Sequence, residues 1–197
     1  MEREAKVFVV DDDALMRETL ASALQAASIQ AEFFASAGEL LDAYSPVFRG
    51  CILLDIRMPE MDGAQLYDVL IEKGCQLPII FITAFGDVPT AVRAVKKGAY
   101  DFIEKPFELR DFLDLMRAAL RFAEEKAEHL TKYETLTPRE KEVFHLLAEG
   151  YPNKSIARRL VITVRTVESH RKNLSAKLDA GSVSDLIRLS TEIVKSP

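Results

Sequence analysis

The sequence predicts an α/β domain, a doubly wound five-stranded parallel sheet, followed by a smaller all-α domain. Three observations predict it. Short apolar runs alternate with amphipathic stretches through residues 1–120, the signature of β-α-β units. Residues 107–137 then run without a Gly after Phe107 or a Pro before Pro138, which reads as one long helix. The charge also changes sign along the chain. Residues 138–197 carry 11 Lys and Arg against 7 Asp and Glu, a net of +4, whereas residues 1–137 carry 15 against 24, a net of −9. An acidic front and a basic back point to different partners, a divalent cation for one and phosphates for the other.

Taken in order, Val7–Val10 is the first strand, an uninterrupted apolar run of the kind buried on both faces. A helix follows at Ala14–Ala26, then a weaker strand at Ala31–Phe34 and a helix at Ala37–Tyr44. Cys51–Leu54 is the next strand, with a helix at Ala64–Lys73; Ile79–Ile82 is followed by a helix at Val88–Lys97, and Tyr100–Ile103 by a helix from Glu108 onward. Right-handed crossovers between parallel strands place these helices on both faces of the sheet. Such units in this number match a flavodoxin-like fold, whose functional site lies at the carboxyl ends of the strands.

The last of these helices outruns the sheet. Leu109, Leu113, Met116, Leu120, Ala123, Ala127 and Leu130 follow alternating four- and three-residue spacing. A helix from Glu108 to Leu130 has 23 residues and is roughly 34 Å long. Its second half predicts a spacer. The resulting organisation is a first domain over 1–120, a helical linker over 121–136 and a second domain over 137–197.

That second domain opens on Thr137-Pro138-Arg139-Glu140, with Thr as N-cap, Pro in the first turn and Glu at the capping-box position. Turns at Gly150-Tyr151-Pro152-Asn153 and Asp179-Ala180-Gly181-Ser182 separate short helices. Lys154–Leu160 turns Ile156, Ala157 and Leu160 inward. After Val161-Ile162-Thr163, an ideal helix over Arg165–Leu178 puts Val167, Leu174 and Leu178 on one face. The opposite face carries Arg165, Ser169, Lys172 and Ala176, with Glu168 at its edge. Two short helices around a tight turn, the second with a basic and small polar face, suit a reader of the DNA major groove.

Composition narrows the class. With 48% hydrophobic and 29% charged residues, both domains can bury a core. No apolar run reaches membrane-spanning length, so no membrane partner is expected. The start, Met1 to Lys6, is too short and too charged for a secretory signal. Cys51 and Cys75 have no metal-ligand spacing and read as buried free thiols in a reducing cytoplasm.

Chemistry concentrates where the strands end. Asp11-Asp12-Asp13, Asp55, Thr83 and Lys105 each follow or close an apolar strand, and a doubly wound sheet brings those ends to one edge. Clustered carboxylates repel unless a cation lies between them, and an all-oxygen set suits Mg2+ rather than Zn2+. Lys105 supplies a point charge for a phosphoryl oxygen and Thr83 a hydroxyl for the same group. A carboxylate beside a cation and a lysine is equipped as a nucleophile in aspartyl-phosphate chemistry. A phosphohydrolase turning over through such an intermediate needs a second acid/base carboxylate close behind, which Asp55-Ile56-Arg57 lacks.

These residues carry a resemblance. Val9-Val10-Asp11-Asp12-Asp13, Leu54-Asp55-Ile56-Arg57-Met58-Pro59-Glu60-Met61-Asp62-Gly63, Phe81-Ile82-Thr83-Ala84 and Glu104-Lys105-Pro106-Phe107 resemble the receiver domains of two-component response regulators. Gly86-Asp87-Val88-Pro89-Thr90-Ala91-Val92-Arg93 and Gly98-Ala99-Tyr100-Asp101-Phe102 point to the FixJ-like subgroup. The resemblance implies Asp55 as phosphoacceptor. It implies Mg2+ among Asp11, Asp12, Asp55 and the Arg57 backbone carbonyl, with Thr83 and Phe102 as a switch pair and Lys105 as phosphate sensor. It also implies a cis bond between Lys105 and Pro106. Catalysis is expected only as Mg2+-dependent self-phosphorylation from a phosphodonor and autodephosphorylation.

The basic half is similar to the LuxR-type helix-turn-helix of NarL- and FixJ-like regulators. The similarity rests on Leu136-Thr137-Pro138-Arg139-Glu140, Leu147-Ala148-Glu149-Gly150, Asn153-Lys154-Ser155-Ile156-Ala157, Ile162 through His170, and Lys177-Leu178. Val161 departs from the pattern, where a smaller or polar residue is usual, and Asp179 to Val183 lacks the usual basic residue before the last helix. Together with the wheel, the resemblance makes Glu168, Ser169 and Lys172 candidates for base edges, and Asn153, Lys154, Arg165, Thr166, His170, Arg171 and Lys177 candidates for phosphates. The function expected is a response regulator phosphorylated by a sensor histidine kinase. It forms a homodimer, with weak linker pairing, and binds double-stranded promoter DNA beside RNA polymerase. The alternative is a constitutive DNA-binding regulator whose receiver is only a dimerisation scaffold.

Overall fold

The computed structural model describes residues 5–84 and 88–194, with 88–91, 191, 192 and 194 described by backbone alone. The start Met1–Glu4 and the Gly86-Asp87 part of the subgroup motif lie outside the described residues. Strands β1 (Lys6–Val10), β2 (Ala31–Phe34), β3 (Gly50–Asp55), β4 (Ile79–Thr83) and β5 (Asp101–Glu104) form one sheet in the order β2-β1-β3-β4-β5. Every pairing is parallel. Helices α1 (Ala14–Ala26), α2 (Ala37–Ala43), α3 (Gly63–Glu72), α4 (Val88–Lys96) and α5 (Leu109–Glu134) make the crossovers and their continuation.

The apolar strands split their side chains between two cores, as a two-residue period requires. Val7, Val9, Cys51, Leu53, Ile80 and Ile82 face Leu20 and Leu24 of α1 and Phe112, Met116 and Ala119 of α5. Phe8, Val10, Ile52, Leu54 and Phe81 face Leu40 of α2, Leu66 and Leu70 of α3 and Ala94 of α4. Each such aliphatic side chain contributes about 1.5–3 kcal/mol by leaving water. Both thiols are free and buried, and burial pushes the Cys51 thiol up to about 12.

Most element boundaries differ from the sequence reading by a residue, and α5 by more; three of the differences have a local reason. β3 starts at Gly50 rather than Cys51. Its φ is +124°, and a Cβ there would stand 1.9 Å from the Lys6 carbonyl oxygen, so only glycine permits the close approach to β1. β5 is Asp101–Glu104 rather than Tyr100–Ile103, because it is an edge strand whose two end residues are polar and exposed. α5 has 26 residues and ends at Glu134, past the expected Leu130. Its buried stripe is Phe112, Met116, Ala119 and Ala123, flanked by Leu113 and Leu120. Leu109, expected on that stripe, is the first residue of α5 and is 47% exposed.

The chain divides into two compact units, Met1–Glu124 and Glu125–Ser196. In the second, α6 (Pro138–Ala148), α7 (Asn153–Leu160), α8 (Val164–Lys177) and α9 (Val183–Val194) enclose one core of Val143, Phe144, Leu147, Ile156, Val167, Leu174, Leu186 and Leu189. Tyr133 and Leu136, ahead of α6, pack into it. α6 begins as its sequence predicts, with a Thr137–Glu140 capping box and Pro138 in the first turn. Among the described residues, no helix is long and apolar enough to cross a membrane.

Candidate functional site

Strand order reverses between β1 and β3, so the loops leaving those two strands diverge and open a crevice at their carboxyl ends. Asp11 follows β1 directly and Asp55 is the last residue of β3, whose Leu54 registers with Val10. Both are nearly or wholly buried, at 0% and 8% exposed, while Asp12 lies in the open. Carboxylate oxygens of Asp11, Asp12 and Asp55 lie within 4.8 Å of one another. Lys105, from beyond β5, enters the same space. Its Nζ donates to Asp55 Oδ2 at 2.5 Å and to Asp11 Oδ2 at 3.3 Å.

The second oxygen of each buried carboxylate is held by the backbone. Arg57 N–H donates to Asp55 Oδ1 at 3.0 Å, and Asp13 N–H to Asp11 Oδ1 at 2.8 Å. Burial raises the Asp11 carboxyl above its usual range, with the Asp55 charge adding; the Asp13 N–H and Lys105 oppose it without prevailing. For Lys105, burial alone lowers the ammonium's pKa, but the hydrogen bond to Asp55 and the charges of Asp55 and Asp11 outweigh it, so the group is held above its ordinary value. A lysine that stays charged between two carboxylates is itself the sign of an acidic pocket needing positive charge. The donor set is all oxygen and clusters within one ion's reach, which fits Mg2+.

The remaining receiver-type residues sit on the same edge. Thr83, the last residue of β4, is buried, and its Oγ1 donates to the Ala84 carbonyl at 3.3 Å. It registers with Glu104 of β5, so Phe102, two residues back, lies on the same sheet face. Phe102 is half-buried against the core that contains Phe81. The Lys105–Pro106 bond is cis, as the resemblance implies.

Two features of this edge escaped the sequence reading. Arg17 donates from Nη1 to the Asp11 backbone carbonyl at 2.6 Å, tying α1 back onto the acidic loop. A cation on the first turn of the helix that follows an Asp run was its only signal. Gly63 is the second, at the start of α3. A Cβ there would come 2.2 Å from the Asp55 carbonyl oxygen. Asp13 caps α1, accepting from the N–H groups of Leu15 and Met16.

In the second unit, α7 and α8 are joined by a turn at Val161, whose φ of 55° is left-handed and whose side chain is 89% exposed. Arg165, Glu168, Ser169 and Lys172 are exposed along one face of α8, while Val167 and Leu174 are buried on the other. Lys154 is exposed, and His170 and Thr166 are half-buried, the latter bonded to the α8 cap Thr163. Arg171 donates from Nη1 to Asn153 Oδ1 at 2.6 Å. Asn153, Glu168, Arg171, Lys172, Ser175 and Val183 line a shallow hollow. Lys177 is turned elsewhere: its ammonium donates to Glu140 at 2.7 Å, and Glu140 is only 3% exposed. Arg139 bonds Glu142 and, through its other Nη, the Leu160 carbonyl that closes α7.

Comparison with known proteins follows the same division. The family of response regulator receiver domains matches residues 7–117, and the bacterial regulatory proteins of the luxR family match residues 134–190. The response regulator protein TmoT of Ectopseudomonas mendocina is 38% identical over 202 residues, covering 99% of this chain and 92% of that protein. The transcriptional regulatory protein FixJ of Bradyrhizobium diazoefficiens is 38% identical over 197 residues, covering 96% of each. Among solved structures, full-length FixJ from B. japonicum has a TM-score of 0.59 at 36% identity, with 98% of this chain and 99% of that one covered. The response regulator StyR has a TM-score of 0.58 at 38% identity, with 98% and 100% covered.

Proposed function

The chain belongs to the two-component response regulators with a receiver and a LuxR-type DNA-binding domain, and on that premise we propose that Asp55 accepts a phosphoryl group from a sensor histidine kinase and thereby licenses dimerisation and promoter binding. The observation that carries the proposal is the Lys105 ammonium, shared between Asp55 and Asp11 at the crevice of the sheet. An Asp55 carboxylate oxygen forms the bond to phosphorus as the phosphorus–nitrogen bond of the donor histidine breaks, its electron pair staying on the imidazole nitrogen. The Arg57 N–H steadies the other carboxylate oxygen during attack. Asp11, Asp12, Asp55 and the Arg57 carbonyl would hold Mg2+, which would supply positive charge at the site for an anionic donor.

Once Asp55 carries the phosphoryl group as an acyl phosphate, Lys105 bonds a phosphoryl oxygen in place of the lost carboxylate charge. Thr83 gives up its bond to the Ala84 carbonyl and turns its hydroxyl to another. Phe102, on the same face, moves into the space Thr83 leaves. This remodels the surface of α4, β5 and α5, where a second copy docks. Residues 1–120 are the phosphoacceptor domain, 121–136 the helical linker and 137–197 the DNA-reading domain. The protein acts in the cytoplasm and, on the promoter, beside RNA polymerase.

On DNA, Glu168, Ser169 and Lys172 address base edges, and Asn153, Lys154, Arg165, Thr166, His170 and Arg171 address phosphates. Lys177 serves as an anchor for Glu140 rather than as a free phosphate donor. Labelling with radioactive acetyl phosphate tests the receiver half: incorporation should need Mg2+, stop on chelation and vanish in Asp55→Asn. Labelling that persists in Asp55→Asn contradicts the proposal. For the DNA half, Lys172→Ala should relax base preference at one position by about 1–3 kcal/mol. A uniform loss across operator variants would contradict the groove assignment.

A further inference from the structure

The hydrogen bond between Arg171 and Asn153 joins the two helices of the reading head at the hollow they share. Asn153 opens α7 and Arg171 lies in the middle of α8, 18 residues later. A guanidinium has donors and no acceptor, so the asparagine oxygen must face it, and the amide nitrogen, with both its hydrogens, must face away. The 2.6 Å contact is made by one Nη of Arg171. Among the described residues, the Asn153 amide nitrogen and the other guanidinium nitrogens of Arg171 have no hydrogen-bond partner. Both side chains are half-buried, and both line the same hollow with Lys172 and Ser175. Among the described residues, Arg158 and Arg165, by contrast, are exposed side chains with no tether of this kind.

We propose that Asn153 and Arg171 act as one phosphate clamp, in which Asn153 is a positioning residue that holds the Arg171 guanidinium toward a DNA phosphate and completes its grip with the outward amide. The proposal rests on the DNA-binding reading above. A long arginine loses rotamer freedom when it meets a phosphate, and that loss opposes binding. A neutral tether that orders the side chain beforehand removes the loss, and it keeps the fork available for two parallel charge-assisted bonds. A neutral partner suits this role better than a carboxylate, which would cancel the charge the phosphate seeks. Glu168, at the rim of the same hollow, then restricts the approach. A phosphate gripped by Arg171 must keep clear of the Glu168 carboxylate, so the clamp helps to fix the register in which α8 enters the groove.

The distinguishing readout is salt dependence. Asparagine carries no charge and displaces no counterion, so an amide that merely touched DNA, or merely supported α7, would leave the salt slope of binding unchanged when removed. If it positions Arg171, its loss disengages a charge. The test uses the full-length protein with acetyl phosphate and Mg2+, and measures duplex binding by anisotropy from low to physiological salt. Arg171→Ala and Asn153→Ala should each reduce the slope by about one counterion. The double variant should bind no more than about two-fold more weakly than the worse single variant, as coupled residues do. Should Asn153→Ala lower the melting temperature, Asn153→Ser, which keeps a polar helix start but falls short of Arg171, carries the same expectation. An unchanged slope in the asparagine variants, or losses that multiply in the double variant, overturns the clamp. Lys154→Ala separates the two failures. If it lowers the slope while Asn153→Ala does not, the clamp is wrong and the DNA-binding reading stands. If no basic variant changes binding, that reading itself is wrong.

Discussion

Asp55 and Lys105, 50 residues apart in the chain, meet at 2.5 Å across the carboxyl edge of the sheet. The contact holds one positive charge beside two acidic groups, because Lys105 also reaches Asp11 at 3.3 Å. Removing it should act in two directions at once. Lys105→Ala takes away a cation that competes with Mg2+, so Mg2+ should bind several-fold more tightly in a titration followed by calorimetry. Labelling by acetyl phosphate should remain, while labelled protein should no longer gain DNA affinity. Weaker Mg2+ binding in Lys105→Ala would contradict this electrostatic account.

Gly63 lies where α3 begins against the backbone of the phosphoacceptor. A Cβ placed 2.2 Å from the Asp55 carbonyl oxygen cannot stay there without moving that backbone. Gly63→Ala should cost about 1–3 kcal/mol in denaturant unfolding, the usual range for overpacking. It should also slow labelling at least about ten-fold, in line with the cost of a displacement near 1 Å at a reacting group.

Val161 is a β-branched residue in a left-handed turn, with φ of 55° and 89% exposure. No burial is lost by replacing it, and the strain of the backbone is relieved by a residue that tolerates this conformation. Val161→Asn should stabilise the second unit by about 1 kcal/mol. Calorimetry of the full chain should show one unfolding transition moved upward and the other unchanged.

Glu140 contributes to the acid sensitivity of the second unit. Burial works to raise its carboxyl, but the Lys177 ammonium and the Thr137 N–H and hydroxyl prevail and hold it below its ordinary value of 4.5. A carboxyl with a lowered pKa in the folded state contributes stability above its unfolded pKa, and that contribution disappears as pH falls through the folded one. The melting temperature of the second unit should therefore fall as pH drops from the ordinary carboxylate value downward. Glu140→Gln should be less stable at neutral pH and should show a flatter decline, measured by calorimetry between pH 7 and pH 3. A wild-type decline as flat as that of Glu140→Gln would contradict it.

Much of this was legible in the sequence because it depends on local pattern. The apolar runs of β1, β3 and β4 announce strands buried on both faces, and the order of strand ends brings Asp11, Asp55, Thr83 and Lys105 to one edge. Thr137-Pro138-Arg139-Glu140 states its capping box outright, and the wheel of α8 separates Val167 and Leu174 from Ser169 and Lys172. The misses lie where tertiary contact decides. A cation one turn after an Asp run is the only local sign that Arg17 reaches back to the Asp11 carbonyl, and nothing local tells that Gly63 is pressed against Asp55. Lys177 and Arg171 look alike in sequence, as basic residues of one helix. Only the fold shows that one is turned in to Glu140 and the other is tethered to Asn153.

The central claim is that phosphoryl transfer to Asp55 controls DNA binding. Duplex affinity of the full-length protein, measured with and without acetyl phosphate and Mg2+, tests it in wild type and in Asp55→Asn. The account predicts that acetyl phosphate strengthens wild-type binding at least about ten-fold, a coupling of roughly 1.4 kcal/mol, and leaves Asp55→Asn unchanged. Equal affinity of wild type in both conditions, at the level of Asp55→Asn, would contradict it and leave the first domain as a scaffold for a constitutive DNA-binding protein.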